Sequence, residues 1–236
     1  MIYLKFISRL IKFLKSLLTK TQLSNHKFQN KNQVTNANII LNLLKNKNFS
    51  PNYIVDVGCG YGEWTKKLLN LFPMSNFYLY DADKNNFEKL DLLKKKNKNI
   101  HFKICLLSDD NKTYKFYNMG YGSSIFEEQT THNRNIEEIS STTLSQELPN
   151  ELKNQNNNLI KLDVQGSELK VLEGLKDTIN SFEVIILEVS IHNYNKNSPL
   201  FDKVMNYMIE KNYRLYDLFD LKRLGNNKSF LVQFDC

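Results

Sequence analysis

Val55-Asp56-Val57-Gly58-Cys59-Gly60-Tyr61-Gly62 constrains this chain more than any other stretch: a β-branched apolar run carries an acid and then three glycines at alternate positions. The pattern predicts the first strand of a doubly wound α/β sheet and a turn that brings bare backbone against a ligand. Glycine suits that turn because it accepts positive φ and presents no Cβ. A helix is expected from Glu63, and Asn76-Phe77-Tyr78-Leu79-Tyr80-Asp81 reads as a second strand whose acid lies 21 residues after Gly60. Asp81 is therefore placed to hold two ribose hydroxyls.

The glycine spacing separates two cofactor classes. A dinucleotide fingerprint, G-x-G-x-x-G, offers a helix N-terminus to a pyrophosphate, whereas this chain has D-x-G-x-G-x-G with Asp56 beside the loop. A carboxylate there would repel a pyrophosphate. S-adenosyl-L-methionine has no phosphate and carries a sulfonium and an ammonium, so the acid favours a methyl-donor site. Asp56, Gly58, Cys59, Gly60 and Tyr61 are the loop residues expected to form it, with Cys59 there as a small side chain rather than a reactive thiol.

The chain has 236 residues, enough for one substantial core, and shows no internal repeat. One catalytic domain over 37–236 is expected, preceded by an appendage. Cys59, Cys105 and Cys236 have neither paired nor metal-ligand spacing, and nothing resembles a signal-peptidase site after the first apolar stretch. A reducing cytoplasm is the expected location. The net charge is +7, but Lys5, Arg9, Lys12, Lys15 and Lys20 stand in residues 1–20 without an acid, leaving +2 for 21–236. The basic character is local, which argues against a nucleic-acid partner.

Within 1–20, Tyr3, Leu4, Phe6, Ile7, Leu10, Ile11, Phe13, Leu14, Leu17 and Leu18 fall on one side of a helical projection and the cations largely on the other. The five cations argue against a bilayer span. Two readings of this basic amphipathic helix stand open: contact with an anionic membrane surface, which would put the enzyme on its inner face, or packing on the domain or on another protomer of an oligomer. Residues 21–36 read as a polar linker.

Farther along, Lys84 to Lys96 reads as a crossover helix and His101 to Leu107 as a third strand closed by Ser108-Asp109. Ligands in such sheets sit beyond the carboxyl ends of the strands, so Ser108 and Asp109 are expected near the adenine. Lys112 to Tyr117 suggests a hairpin strand, and Gly122-Ser123-Ser124 a turn facing the donor. Residues 127–158 are polar and read as a loop contributing to the acceptor pocket. Leu159 to Val164 is the fourth strand with Asp163 near its end, and Val184 to Val189 the fifth, carrying Glu188. Tyr213 to Leu218 and Phe230 to Phe234 are expected to close the sheet as an antiparallel pair.

Three blocks resemble the FkbM family of S-adenosylmethionine-dependent methyltransferases: Val55 to Gly62; Tyr80-Asp81 through Asn86-Phe87-Glu88-Lys89-Leu90; and Ile160-Lys161-Leu162-Asp163-Val164-Gln165-Gly166-Ser167-Glu168 with Val171-Leu172-Glu173-Gly174. The likeness runs from about Tyr53 to the C-terminus. It implies a class I methyltransferase (Rossmann-like) fold with a seven-stranded sheet, and transfer to oxygen on sugars, glycans or related natural products. Asp81 and Gln165 stand where the family commonly has Glu, and Lys228-Ser229 replaces an expected polar-acidic pair.

Methyl transfer is an in-line displacement, so alignment of donor and acceptor comes first. A hydroxyl-bearing acceptor also gains from a base. Asp163 is the first candidate, Glu188 the second and His192 the third. No His/Asp/Glu spacing makes a metal site, although an ion shared by Asp163 and Glu188 is left open. An RNA or protein methyltransferase and a non-catalytic membrane-associated module are the competing readings.

Overall fold

The computed structural model describes residues 36–236. The basic amphipathic helix expected over 1–20, and residues 21–35 of the linker, lie outside the described residues. Asn36 caps the first described helix, α1 (Ala37–Asn46), its side-chain oxygen accepting the Ile39 N–H.

The apolar runs form β1 (Tyr53–Val57), β2 (Asn76–Asp81), β3 (Ile100–Ile104), β7 (Asn158–Leu162) and β8 (Phe182–Ser190), and these five strands pair in parallel. Two further strands, β9 (Phe219–Leu224) and β10 (Phe230–Asp235), complete a seven-stranded sheet in the order β3-β2-β1-β7-β8-β10-β9, with β10 antiparallel to both neighbours. The order reverses between β1 and β7, the place where a doubly wound sheet opens a crevice at its strand ends.

Both faces of the sheet are covered, as expected for parallel strands that read as near-continuous apolar runs. On one face Val55, Val57, Ile160, Leu162, Leu187 and Val189 pack against α6 (Glu168–Leu175) and α7 (Phe201–Glu210) through Val171, Leu172, Val204 and Met208. The other face, with Ile54, Phe77, Leu79, Leu159 and Ile186, meets α1 through Leu41, α2 (Glu63–Leu71) through Leu68 and α3 (Phe87–Lys96) through Leu90. Each fully buried leucine is worth about 1.5–3 kcal/mol relative to exposure, so the two layers together fix the strand order.

Three expectations need correction. The single strand expected over His101 to Leu107 is two: β3 makes its last bond to β2 from the Cys105 N–H to the Asp81 carbonyl, and β4 (Leu106–Ser108) joins a separate three-stranded sheet. That sheet has the order β4-β6-β5, so residues 127–158 are not all loop. They contain its central strand β6 (Asn135–Thr143), paired antiparallel with β5 (Thr113–Asn118), and the short helices α4 (Leu144–Glu147) and α5 (Asn150–Lys153). Tyr213 to Leu218 is not a strand either. Tyr213 spends its hydroxyl on the Ile179 and Phe182 carbonyls, and pairing with β10 begins only at Phe219. No described helix is long and apolar enough to cross a membrane.

Candidate active site

The ends of β1, β2 and β7 meet at the glycine loop. Gly58 has φ +73°, and a Cβ there would lie 1.9 Å from the Asp163 carbonyl oxygen, so the loop can cross the end of β7 only with glycine at this position. Gly60 has φ +54° and a Cβ would meet nothing within 4 Å, because it faces the open cleft. The backbone N–H groups of Gly58 and Cys59 both donate to the Tyr80 carbonyl, at 2.9 and 3.2 Å. The Gly60 N–H donates to Asp81 Oδ2 at 2.7 Å. The donors that would cradle a pyrophosphate are thus already spent, and a carboxylate stands in their place.

Asp81 lines the cleft. Its Oδ1 accepts from the Asp83 N–H at 2.8 Å and Asn86 Nδ2 at 3.0 Å. Burial raises its affinity for a proton, and these donors oppose the rise. Three of the roughly four lone-pair sites of the carboxylate are used, so acceptor capacity remains for a ligand hydroxyl. Beside it Ala82, Leu106, Leu107 and Phe116 supply an apolar wall. Ser123, Ser124, Asp163 and Gln165 line it as well, while Tyr61 and Tyr121 meet edge to face, 5.8 Å between ring centroids. The enclosed volume is about 120 Å³. A larger apolar groove of about 960 Å³ lies between α1, β8 and α7, but no expected site residue lines it.

Asp163 follows β7 directly. Its Oδ2 accepts from Lys161 Nζ at 2.6 Å and its Oδ1 from Gln165 Nε2 at 3.0 Å. Burial pushes its proton affinity up, but the Lys161 cation prevails and holds the carboxyl below the usual range. Glu188, 2 % exposed, accepts from Gln165 Nε2 and Lys222 Nζ. Burial, and then the charge of Asp163, push its pKa up, so the pair does not carry two full negative charges at neutral pH. Glu188 lies beside Asp163 but not on the cleft wall.

The other expected residues do not reach the cleft. Asp56 is buried beneath the loop on the opposite face from Val55 and Val57, where Oδ2 accepts from Thr65 Oγ1 at 2.6 Å and burial raises its pKa to about 6. Cys59 turns its side chain into the core beside Ile54 and Leu68. Because the third strand divides, Cys105 to Leu107 form the wall and Ser108 passes behind it. Ser108 is fully buried and donates to Asp109, whose Oδ1 meets Lys170 Nζ at 2.9 Å. His192 is exposed after β8 and off the wall. Among the described residues no three His, Cys, Asp or Glu side chains converge as a metal site.

Sequence reasoning passed over Lys161, Asn86 and Glu168. Lys161 stands two residues before Asp163 in a run of buried residues, a placement that calls for an anionic partner. Glu168 is 3 % exposed and accepts the Val164 and Gly166 N–H groups, closing the turn that carries Asp163 and Gln165.

The cleft therefore fits S-adenosylmethionine on its own chemistry: open space over Gly60, a carboxylate with acceptor capacity at the end of β2, an apolar wall beside it and acids rather than anion donors at the loop. A search of curated proteins found no match. Solved structures similar to the chain include a precorrin-6y C5,15-methyltransferase from Geobacter metallireducens, at 9 % identity and TM-score 0.42 over 87 % of this chain and 90 % of that one. A putative O-methyltransferase from Nostoc punctiforme matches at 9 % identity and TM-score 0.44, over 84 % of this chain and 54 % of that one. A SAM-dependent methyltransferase from Aquifex aeolicus matches at 12 % identity and TM-score 0.38, over 82 % and 85 %. The family model for the methyltransferase FkbM domain matches residues 26–215, beginning before Tyr53 and ending before β9. With that match over most of its length, the chain belongs to the FkbM family of S-adenosylmethionine-dependent methyltransferases.

Proposed function

We propose that this methyltransferase acts on a hydroxyl of a sugar, a glycan or a related natural product. S-adenosylmethionine supplies a methyl group already activated on a sulfonium, so the protein's work is mainly to orient the partners and manage one proton. Asp81 takes the ribose hydroxyls with the lone pairs left by Gly60, Asp83 and Asn86. Ala82, Leu106, Leu107 and Phe116 flank the adenine, and Gly58 and Gly60 let the backbone approach the rest of the donor.

Asp163 receives the acceptor's O–H. As that oxygen takes the methyl group that bound S-adenosylmethionine would supply, leaving the neutral thioether behind, its proton would pass to Asp163. A carboxylate held low by Lys161 is a weak base toward a neutral hydroxyl. It is base enough once the bond is forming, because a protonated ether is a far stronger acid than a carboxylic acid. Asp163 thus first orients the hydroxyl and then accepts its proton, with Glu188 behind it.

The observation that carries this reading is Asp163 on the cleft wall, ion-paired at 2.6 Å to Lys161, in a cleft that the hydroxyl-bearing Ser123 and Ser124 also line. The test is methyl incorporation from labelled S-adenosylmethionine into a panel of monosaccharides, sugar nucleotides and glycosides, with RNA and protein beside it. Labelling of a saccharide hydroxyl is expected. With that saccharide, Asp163→Asn should lower turnover by about 10² while cofactor binding survives. Near-normal turnover would assign Asp163 to the turn alone, and label entering only RNA or protein would overturn the acceptor class.

A further inference from the structure

Gln165 spends more on its position than the turn after β7 requires. Its backbone is left-handed, φ +51°, a region that side chains other than glycine, asparagine and aspartate rarely adopt. Gly166 follows at φ +98°, and a Cβ there would lie 2.8 Å from Ser198 Cβ. Four hydrogen bonds hold Gln165. Its carbonyl accepts from Ser124 Oγ at 2.8 Å and from Asn195 Nδ2 at 2.6 Å. Its single Nε2 donates to Asp163 Oδ1 at 3.0 Å and to Glu188 Oε2.

Lys161, Asp163, Gln165, Glu188 and Lys222 form one chain in which donors and carboxylates alternate. A carboxamide suits its centre. An amide nitrogen has two hydrogens, one for each acid, whereas a glutamate would set a third carboxylate between two and replace two donated bonds by repulsion. Glutamine here is this chain's own departure from the residue its family resemblance leads one to expect.

We infer that Gln165 is a positioning residue for methyl transfer: its carboxamide fixes Asp163 against Glu188, so that the carboxylate is presented to the acceptor in one orientation. The role in turnover rests on the reading in which Asp163 meets the acceptor hydroxyl. The carboxamide bridge itself does not. Through its carbonyl the same residue ties Ser124 on the cleft wall to the loop after β8, so both sides of the acceptor end share one anchor.

The test uses the full-length protein. The side-chain carboxyl carbons of Asp163 and Glu188, assigned with Asp163→Asn and Glu188→Gln, are titrated by NMR in the wild type, Gln165→Met and Gln165→Glu. In the wild type the Gln165 amide protons should exchange slowly and shift with the Glu188 titration. Both variants should raise the apparent pKa values of the pair, Gln165→Glu by more than a unit, while affinity for S-adenosylhomocysteine changes less than threefold. Any saccharide identified as acceptor should then show kcat lowered tenfold or more with an unchanged KM for the donor. Unchanged carboxyl titrations in both variants, or wild-type amide protons exchanging like those of an exposed glutamine, would reduce Gln165 to a turn residue. If no saccharide is methylated, the acceptor assignment falls while the titrations still decide the bridge.

Discussion

Gly58 and Asp81 show how closely the residues at this site constrain one another. The Asp163 carbonyl occupies the space a side chain at Gly58 would need, and Asp81 holds the next turn of the loop through the Gly60 N–H. Asp81 therefore both shapes the loop and offers itself to the ribose. Asp81→Ala should weaken S-adenosylmethionine binding by about 1.5–3 kcal/mol, the range for lost hydrogen bonds to a charged group, or roughly ten- to 150-fold. Calorimetry is the check, and a variant that binds within twofold of the wild type sinks the assignment. The acids of this site were legible from spacing, because Asp81 and Asp163 each stand at the end of an apolar run. The partner of Glu188 was not: Lys222 reaches it from 34 positions away, a contact that no local pattern announces.

At the scale of elements, legibility followed burial. The strands β1, β2, β7 and β8 declare themselves because burial on both faces demands continuous apolar runs. His101 to Leu107 presents one such run, yet its partner changes within it: pairing with β2 ends at Ile104, and from Leu106 the run pairs with β6. The strand β6 was hidden because most of it is exposed or half-buried, with Ser141 and Thr143 alone buried. The division shapes the cleft, since it turns Leu106 and Leu107 into a wall while Ser108 backs onto α6. That contact is close: a Cβ on Gly174 would lie 2.2 Å from the Ser108 carbonyl oxygen. Gly174→Ala should push β4 off α6 and destabilise the protein by about 1–3 kcal/mol, the usual cost of overpacking. Urea unfolding measures this directly. A change below about 0.5 kcal/mol would mean that the second sheet can slide without resistance.

Among the described residues the molecule buries more acidic than basic side chains, and its stability should reveal this through pH. Burial raises Asp56 to about 6, Asp235 to about 6 and Glu168 to about 7, and it raises Glu188 as well. In the unfolded chain these carboxyls titrate near 4, so above that pH the folded state binds more protons than the unfolded one. Stability must then fall as pH rises, beginning near 4 and continuing through about 7 for the three groups with those values. Asp163 acts in the opposite sense, because its lowered carboxyl adds stability that is lost only as pH falls below the ordinary carboxylate range. The raised pKa values of Lys161 and Lys222 matter only at much higher pH. The expected outcome is a melting temperature highest near pH 4 and lower by about 5 °C or more at pH 8, on the scale of 2–4 °C per kcal/mol for a domain of this size. Glu168→Gln keeps an oxygen for the Val164 and Gly166 N–H groups but removes the titration, so it should flatten the slope between pH 4.5 and 7. Melting curves that rise or stay level across that interval would mean that the buried carboxyls are ionised in the fold, and that the alternation of acids and donors around Asp163 extends farther than the bonds seen there.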